Sequence, residues 1–590
     1  MRNTTVALTA ILSITAVSAK EAEHPNVIIF LTDDQGWGDF SSSGNPIVET
    51  PVLDSLRRNG AYLDRFYVSP LSAPTRGSLL TGKYHPSVGV VGVTGGWENM
   101  NQDEITIAQL FKACGYKTGI FGKWHNGPHY PQTPNGKGFD EFVGFCAGHI
   151  SNYFFSPLQR NGEFFQTEDE YITDYITDRA IEFVERNKNN KFLMYVPYNA
   201  PHAPLQVPDK YYDKYLPKIQ SMAKQYNLVA EDLAAVYGMC ENIDDNIGRI
   251  IDKLHESDII DNTIIFFCTD NGPVTKRYNG GMRGIKGGVH EGGVRTVGIF
   301  YWKGHIRPAT YDDLTAHIDV LPTLCDICGI DMSPIKGIDG ISLKELLFSE
   351  KTKLPERTIY THIKGLFVEN NGAVRTPTHR FMIDGTPAKR LLFDMTNDFS
   401  ETNNLVHANP QLADELERDY KTWWKRVWAG TDSIRYIPVG YKEAPQARLY
   451  AYEGRLTGHL KFAHKGHNGD WIENFSTAED HIRWDIDAHV TGRYEIGIWY
   501  ATSDSGAGAR LCIDFEDRTV KGTIEKPFEM KQFVAKSVHT KRHLKCNPTF
   551  AYQKLGSIEL DKGKHRVFLS PEYLPDECGL RLYSLDLTLL

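Results

Sequence analysis

Asn26-Val27-Ile28-Ile29-Phe30-Leu31-Thr32 carries five consecutive apolar residues and runs straight into Asp33-Asp34. A strand with one wet face alternates apolar and polar residues. A strand apolar at every interior position is covered on both faces, as in parallel sheets packed between helices. Thr263-Ile264-Ile265-Phe266-Phe267-Cys268-Thr269 repeats the pattern and ends in Asp270-Asn271-Gly272. Similar runs occupy residues 116–121, 192–196 and 294–302, with helical stretches between them. Residues 24–345 are therefore expected to form an α/β domain, a large, mostly parallel or mixed sheet flanked by helices. Ligands of such sheets bind beyond the carboxyl ends of the strands.

Working outward from those ends, the 116–121 run leads into Gly122-Lys123-Trp124-His125 and the 192–196 run into Pro201-His202. Lys286 and His290 lie in the Gly-rich loop before residues 294–302. Asp33, Asp34, Asp270 and Asn271 offer oxygen ligands only, a donor set for calcium or magnesium rather than zinc. A divalent cation would offset three carboxylates that otherwise repel one another. Arg76, Lys123 and Lys286 are cations suited to a charged tetrahedral group, and His125 and His202 are imidazoles suited to proton transfer.

Residues 72–82 read Ser-Ala-Pro-Thr-Arg-Gly-Ser-Leu-Leu-Thr-Gly. Ser72 is a hydroxyl two residues before Pro74 and four before Arg76, and a helix is expected to start near Leu79 and Leu80. A helix start favours anions, and a guanidinium can grip an oxyanion through two parallel hydrogen bonds. The pattern resembles the sulfatase signature, Cys or Ser, then x-Pro-x-Arg, then Leu-Thr-Gly. Further blocks match the same family in order: Asp33-Asp34-Gln35-Gly36, Gly122-Lys123-Trp124-His125, Pro201-His202-Ala203-Pro204, Thr269-Asp270-Asn271-Gly272 and Gly284-Ile285-Lys286-Gly287. The block from Leu392-Phe393-Asp394 through Glu401 to Leu405 is similar to a late family block, so the resemblance covers most of residues 25–410.

The resemblance implies an alkaline-phosphatase-like fold and hydrolysis of sulfate esters on carbohydrates, as a glycan exo-sulfatase. It implies that Ser72 is oxidised to formylglycine (3-oxoalanine), whose hydrate is the nucleophile, and that one Ca2+ is held by Asp33, Asp34, Asp270, Asn271 and residue 72. In the family's roles Arg76, Lys123 and Lys286 bind sulfate, His125 assists the hydrate and His202 protonates the leaving oxygen. Many members carry Cys where this chain has Ser72, which implies a bacterial-type radical maturation enzyme acting before export. A phosphodiester or phosphonate monoester hydrolase of the same superfamily is the alternative enzyme, and an inactive glycan-binding protein the alternative outside catalysis. Trp97, Asn99, His149, Asn152 and Tyr153 lie in loops near the motifs as candidate sugar contacts. The sugar itself is not specified, a galactose-type glycan being preferred.

Residues 346–435 are expected as a smaller α+β subdomain with a helix holding Trp423, Trp424 and Trp428, and 436–446 as a linker. Beyond it Tyr494, Ile496, Ile498 and Tyr500 alternate, as do Leu585, Leu587 and Leu589, so residues 447–590 are read as an all-β sandwich. Two readings of it stand side by side, a carbohydrate-binding module and a structural appendage.

The net charge of -9 over 590 residues excludes a basic nucleic-acid surface. Nine Cys spread thinly over the chain are not a disulfide framework, and Cys325 and Cys328 read as core thiols on an apolar helix ended by Gly329. Arg2, the apolar run 5–17 and Val17-Ser18-Ala19 read as a cleaved signal peptide over 1–19. With no further spanning run and no Cys at the cleavage point, the protein is expected to be exported, periplasmic or secreted, without a membrane anchor.

Overall fold

The computed structural model describes residues 24–590 apart from 350–351, 364–367, 432, 532–536 and 544–548. The expected signal peptide, 1–19, lies outside the described residues. Among these no helix is long and apolar enough to cross a membrane.

A ten-stranded sheet forms the centre. Its strands are β1 (Asn26–Thr32), β2 (Ala61–Tyr67), β3 (Lys117–Lys123), β4 (Glu141–Phe145), β5 (Pro157–Arg160), β6 (Glu163–Gln166), β7 (Phe192–Pro197), β8 (Thr263–Thr269), β9 (Arg295–Tyr301) and β10 (Ala309–Ala316). The spatial order is β10-β2-β9-β8-β1-β7-β3-β4-β5-β6. The stretch β8-β1-β7-β3-β4 is parallel throughout, and β9 runs antiparallel to both β8 and β2.

The unbroken apolar sequence of β1 has the cause expected of it. Ile28 and Phe30 enter one core, shared with helix Ala230–Glu256 through Leu233, Ile243 and Ile247. Val27, Ile29 and Leu31 enter the other, shared with Leu79, Leu80 and Leu324. Successive side chains point to opposite faces. Each fully buried aliphatic contributes about 1.5–3 kcal/mol, which leaves no position for a polar residue.

Residues 346–435 hold a four-stranded antiparallel sheet, Ile359–His362, Gly372–Arg375, His379–Asp384 and Lys389–Asp394, packed by helix Pro410–Val427. Trp423 joins it to the main domain by stacking on Tyr360 and meeting Tyr84 edge-on. Cys325 and Cys328 are buried thiols at the end of helix Val320–Ile327.

The C-terminal region is two sheets around one apolar core that includes Ile496, Ile498, Leu585 and Leu587. The stretch 436–446, expected as a linker, is partly sheet. Ile437–Val439 pairs in parallel with Ile486–Ala488, because buried Ile437 and Val439 complete that core. The sandwich is docked rather than tethered. Asn468 donates to Glu98 at 2.8 Å, His129 meets Glu453 at 2.9 Å, and Tyr441 donates to Gln102 at 2.9 Å. Helix Val538–Arg542 crosses to the main domain, where His539 stacks on Tyr212 with ring centroids 4.1 Å apart.

Candidate active site

Because β1, β8, β7 and β3 are parallel and in register, their carboxyl ends share one rim, Thr32 beside Thr269 and Leu31 beside Pro197. β9 is antiparallel, so its beginning reaches that rim, and the loop before it delivers Lys286. One reversed strand thus explains why a residue upstream of a strand joins residues downstream of four others.

Asp33, Asp34, Asp270 and Asn271 are all buried at these ends. Asp34 sits at φ 65, a left-handed conformation that Asp tolerates, and its backbone N–H donates to Asp270 Oδ1 at 3.1 Å. Asn271 Nδ2 donates to Asp34 at 2.8 Å, which turns the amide oxygen the other way. Ser72 Oγ lies between Asp33 Oδ1 at 3.1 Å and Asn271 Oδ1 at 3.2 Å. The helix under it starts at Ser72 rather than near Leu79 and runs to Thr81, every residue buried. Pro74 is accepted because N–H groups of a first turn have no intrahelical partner.

Three cations meet the three carboxylates. Lys123 pairs with Asp33, Lys286 with Asp34 at 2.6 Å, and Arg76 with Asp270 at 2.9 Å. Burial pushes the Asp33 carboxyl up, but Lys123, His202, Arg76 and Lys286 outweigh it and hold Asp33 well below the usual carboxylate range. Burial likewise raises Asp34, and Lys286 and His202 bring it below its ordinary value. Asp270 is raised, by burial first and then by the charge of Asp33. Further positive charge among these carboxylates would relieve both the burial and the mutual repulsion that raise Asp270. The six charges sum to zero, so a divalent ion among these oxygens would leave a surplus of two for an anionic ester. Oxygen atoms of Asp33 and Asp34 and a ring nitrogen of His202 lie within 4.8 Å of one another. The donor set fits a hard cation, with Asp270, Asn271 and Ser72 supplying further oxygens.

Arg76 departs from its expected place. It is fully buried, with one terminal nitrogen on Asp270 and the other on the Lys123 carbonyl at 2.9 Å. Its fork lies beneath the carboxylates and does not line the cavity above Ser72.

That cavity, of about 420 Å³, is lined by Ser72, Lys123, His125, His149, His202 and Lys286 from the main domain. His125 Nε2–H donates to the Val93 carbonyl at 2.9 Å, leaving buried Nδ1 as an acceptor with no protein partner among the described residues. Burial, then Lys123, holds its pKa well below the ordinary value, so the ring is neutral with Nδ1 as a hydrogen-bond acceptor. His125 itself is left-handed at φ 61, and a β-carbon at Gly148 would stand 2.1 Å from Nε2. His202 Nδ1–H donates to the Ala203 carbonyl at 2.7 Å, which turns Nε2 to within 3.6 Å of Asp34.

Of the candidate sugar contacts, His149 lines the cavity and packs on His202 with centroids 5.7 Å apart. Tyr153 is behind the wall, its hydroxyl donating to the His202 carbonyl at 2.8 Å, so it fixes the loop that carries His202. Trp97 packs against Arg435, 5.2 Å from its ring, and Asn152 caps Phe154 N–H at 3.1 Å and lines a different cavity. Asn99 is buried. These three are turned inward because a loop's sequence does not give the direction of its side chains.

The opposite wall was not foreseen. The sandwich loop 463–471 lines the same cavity with His464, Lys465, His467, Asn468 and Trp471. Asp470 staples the loop by accepting from the N–H groups of His464, Gly466 and Trp471 at 3.1, 2.8 and 2.9 Å. Its dense His-Lys-Gly-His-Asn-Gly-Asp-Trp composition is the signal that could have drawn attention to it.

An oxygen at Ser72 beside paired carboxylates, with two lysines and two imidazoles around it, is a setting suited to the hydrolysis of anionic esters. The chain belongs to the sulfatase family, whose model, described as Sulfatase, matches residues 25–330, and it is a sulfuric ester hydrolase. It is similar to the uncharacterized sulfatase YdeN of Escherichia coli (strain K12), 28% identical over 485 residues that cover 67% of this chain and 84% of that protein. The N-acetylgalactosamine-6-sulfatase of Sus scrofa is 29% identical over 375 residues, 57% of this chain and 68% of that one. The crystal structure of Ps i-CgsB in complex with k-i-k-neocarrahexaose aligns with a TM-score of 0.61 at 26% identity, covering 70% of this chain and 95% of that chain.

Proposed function

We propose that this enzyme is an exported glycan sulfatase that removes sulfate from a sugar held between the main domain and the sandwich. The observation that carries the reading is Ser72 Oγ, set between Asp33 and Asn271 in a cavity that the sandwich loop 463–471 closes. A serine hydroxyl needs a neighbouring base. Ser72 instead faces a carboxylate and an amide oxygen and has no imidazole hydrogen bond, so oxidation to formylglycine supplies the missing reactivity. The hydrated aldehyde offers one hydroxyl as nucleophile, and the other lets sulfate depart by return to the aldehyde. Asp33, Asp34, Asp270, Asn271 and residue 72 would hold Ca2+, which when bound makes an oxygen of residue 72 more acidic.

The remaining work falls to named side chains. Lys123 and Lys286 bind sulfate oxygens and stabilise charge on them as the ester bond breaks. His202 gives a proton from Nε2 to the leaving sugar oxygen. His125 takes a proton at Nδ1 from the second hydroxyl. Arg76 holds Asp270 in place. Sulfated galactose and N-acetylgalactosamine are the first substrates to try, given the relatives named above. Two measurements test the reading. Peptide mass spectrometry should show residue 72 two hydrogens lighter in protein from a host with the maturation enzyme. Chelation should abolish turnover and Ca2+ restore it. Full activity with unmodified Ser72, or faster turnover of aryl phosphate diesters than of aryl sulfates, would replace it.

A further inference from the structure

Next to the catalytic cavity is a second one, of about 270 Å³, that shares His149, Ser151, Asn468 and Gly469 with it. Hairpin β5–β6, at the edge of the central sheet, supplies one wall through Gln159, Phe164 and Gln166. The sandwich supplies the other, with Arg448 and Tyr450 from strand Gln446–Tyr450, Trp499 from Gly492–Ala501 and Tyr583 from Arg581–Leu589. Ring contacts run without a break from one cavity to the other. Trp471 meets Phe550 at 6.1 Å, Phe550 stacks on Tyr583 at 4.8 Å, Tyr583 meets Tyr450 edge-on at 5.7 Å, and Tyr450 stacks on Tyr452 at 5.1 Å.

We propose that this aromatic cleft is a glycan subsite that holds the sugar glycosidically linked to the sulfated one, so that the sandwich reads the neighbouring residue of the chain. The proposal rests on the reading of the catalytic cavity as a sulfated-sugar site. A sugar bound there has its glycosidic neighbour within one ring's length, and the cleft lies directly across the shared wall of His149, Ser151, Asn468 and Gly469. A pyranose has an apolar C–H face and a rim of hydroxyls. Aromatic faces bordered by the amides of Gln159, Gln166 and Asn468 complement both. Phe164, on β6 opposite Gln159, is 54% exposed and offers one open face of its ring to the cleft, the Arg448 guanidinium lying over the ring.

The charge of the cleft narrows the occupant further. Arg448 is a cation of its lining, and Asp586, fully buried, accepts two of its nitrogens at 3.0 and 3.1 Å. Its guanidinium also lies over Trp499 and Phe164, at 4.7 and 4.9 Å. A guanidinium so balanced does not call for an anion. The ring in this subsite is therefore uncharged, and sulfate on that second ring counts against binding.

The test uses the full chain and its Phe164→Ala and Tyr583→Ala variants. Substrates are galactose 6-sulfate and N-acetylgalactosamine 6-sulfate as monosaccharides, and carrageenan hexasaccharides in which the ring next to a sulfated galactose carries no sulfate. Expected is a tenfold or greater fall in kcat/KM for a hexasaccharide, carried by KM, with the monosaccharides unchanged within twofold. Phe164→Ala removes an exposed side chain and keeps the fold if Tyr583→Ala does not. Calorimetry on Ser72→Ala protein, with the same hexasaccharides sulfated and desulfated, reads binding without turnover. Binding weakened by Phe164→Ala in that background supports the subsite even if the chain hydrolyses no ester, which would sink only the catalytic reading. Equal losses on short and long substrates, or hexasaccharide binding that ignores Phe164, or binding of none of them, would overturn the proposal.

Discussion

On the sheet side of the catalytic cavity, Asp33, Asp34, Ser72, Lys123, His125, Asp270 and Asn271 are each 3% exposed or less and hang from strand ends or a buried helix. On the sandwich side, His464, Lys465 and His467 are exposed and ride on a loop held by the Asp470 carboxylate. The contrast separates two demands. Groups that move charge and protons need fixed distances, which registered strands provide. Groups that select a sugar need to vary without disturbing the chemistry, which a loop on a separate core allows.

That division can be broken most directly from the sheet side. Ser72→Ala, or Asp270→Asn, should cost about 10⁴-fold or more in turnover of every sulfate ester, large or small. Retention of activity toward any substrate would mean that the oxygens at the rim are not the reacting centre. His202→Ala sharpens the picture within the same wall. A sugar alkoxide leaves with far more need of a proton than nitrophenolate does. Loss should be about 10²–10³-fold on a sulfated sugar and under about tenfold on an aryl sulfate. Equal losses would reassign His202 to sulfate binding.

From the other wall, Asp470→Ala removes three backbone hydrogen bonds of the loop. We expect KM for a sulfated hexasaccharide to rise about tenfold while kcat on nitrophenyl sulfate holds. A fall in aryl sulfate kcat would show that the loop serves the chemistry after all. The smallest effect concerns the seam between the walls. Glu98 has one carboxyl oxygen on Asn468 and the other buried with no side-chain partner among the described residues, and burial, followed by Glu453, pushes its pKa up from 4.5 to about 7. The folded chain keeps a proton there that the unfolded chain loses. The stability this group adds is complete below about pH 4.5 and is lost as pH rises through about 7, a total on the order of 3 kcal/mol. Glu98→Gln should flatten thermal melting between pH 5 and pH 8. An unchanged pH profile would remove Glu98 from the seam's energetics.

Much of the sheet wall was legible in sequence because its signals are local. Five apolar runs announced strands covered on both faces, and the charged residues after them fell on one rim because the strands are parallel. Lys286 was placed by motif alone, since only the reversal of β9 explains how it arrives. The position of Arg76 beneath the carboxylates was not legible, because a motif gives a residue's position in a turn and not which side of the carboxylates it faces. The directions of Trp97 and Asn152 were hidden for the same reason. The sandwich wall was not legible at all. Alternating residues such as Tyr494 and Ile496 describe a core within the sandwich, whereas the docking of loop 463–471 depends on pairings such as Glu98 with Asn468, 370 residues apart.

The burial of Ser72 imposes an order of events on the life of the protein. It is 2% exposed and begins a helix whose ten residues are all buried beneath the central sheet. No enzyme can bring an oxidising centre to that β-carbon once β1 and β8 have closed around it. If Ser72 is oxidised as proposed, that step therefore precedes folding, and a molecule that folds first keeps its serine. A maturation enzyme offered the folded chain should leave residue 72 untouched, while a peptide of residues 60–85 should be converted; conversion of the folded chain would show that this helix opens. Supply of active enzyme would then depend on a race between an oxidase and the closing sheet rather than on expression alone.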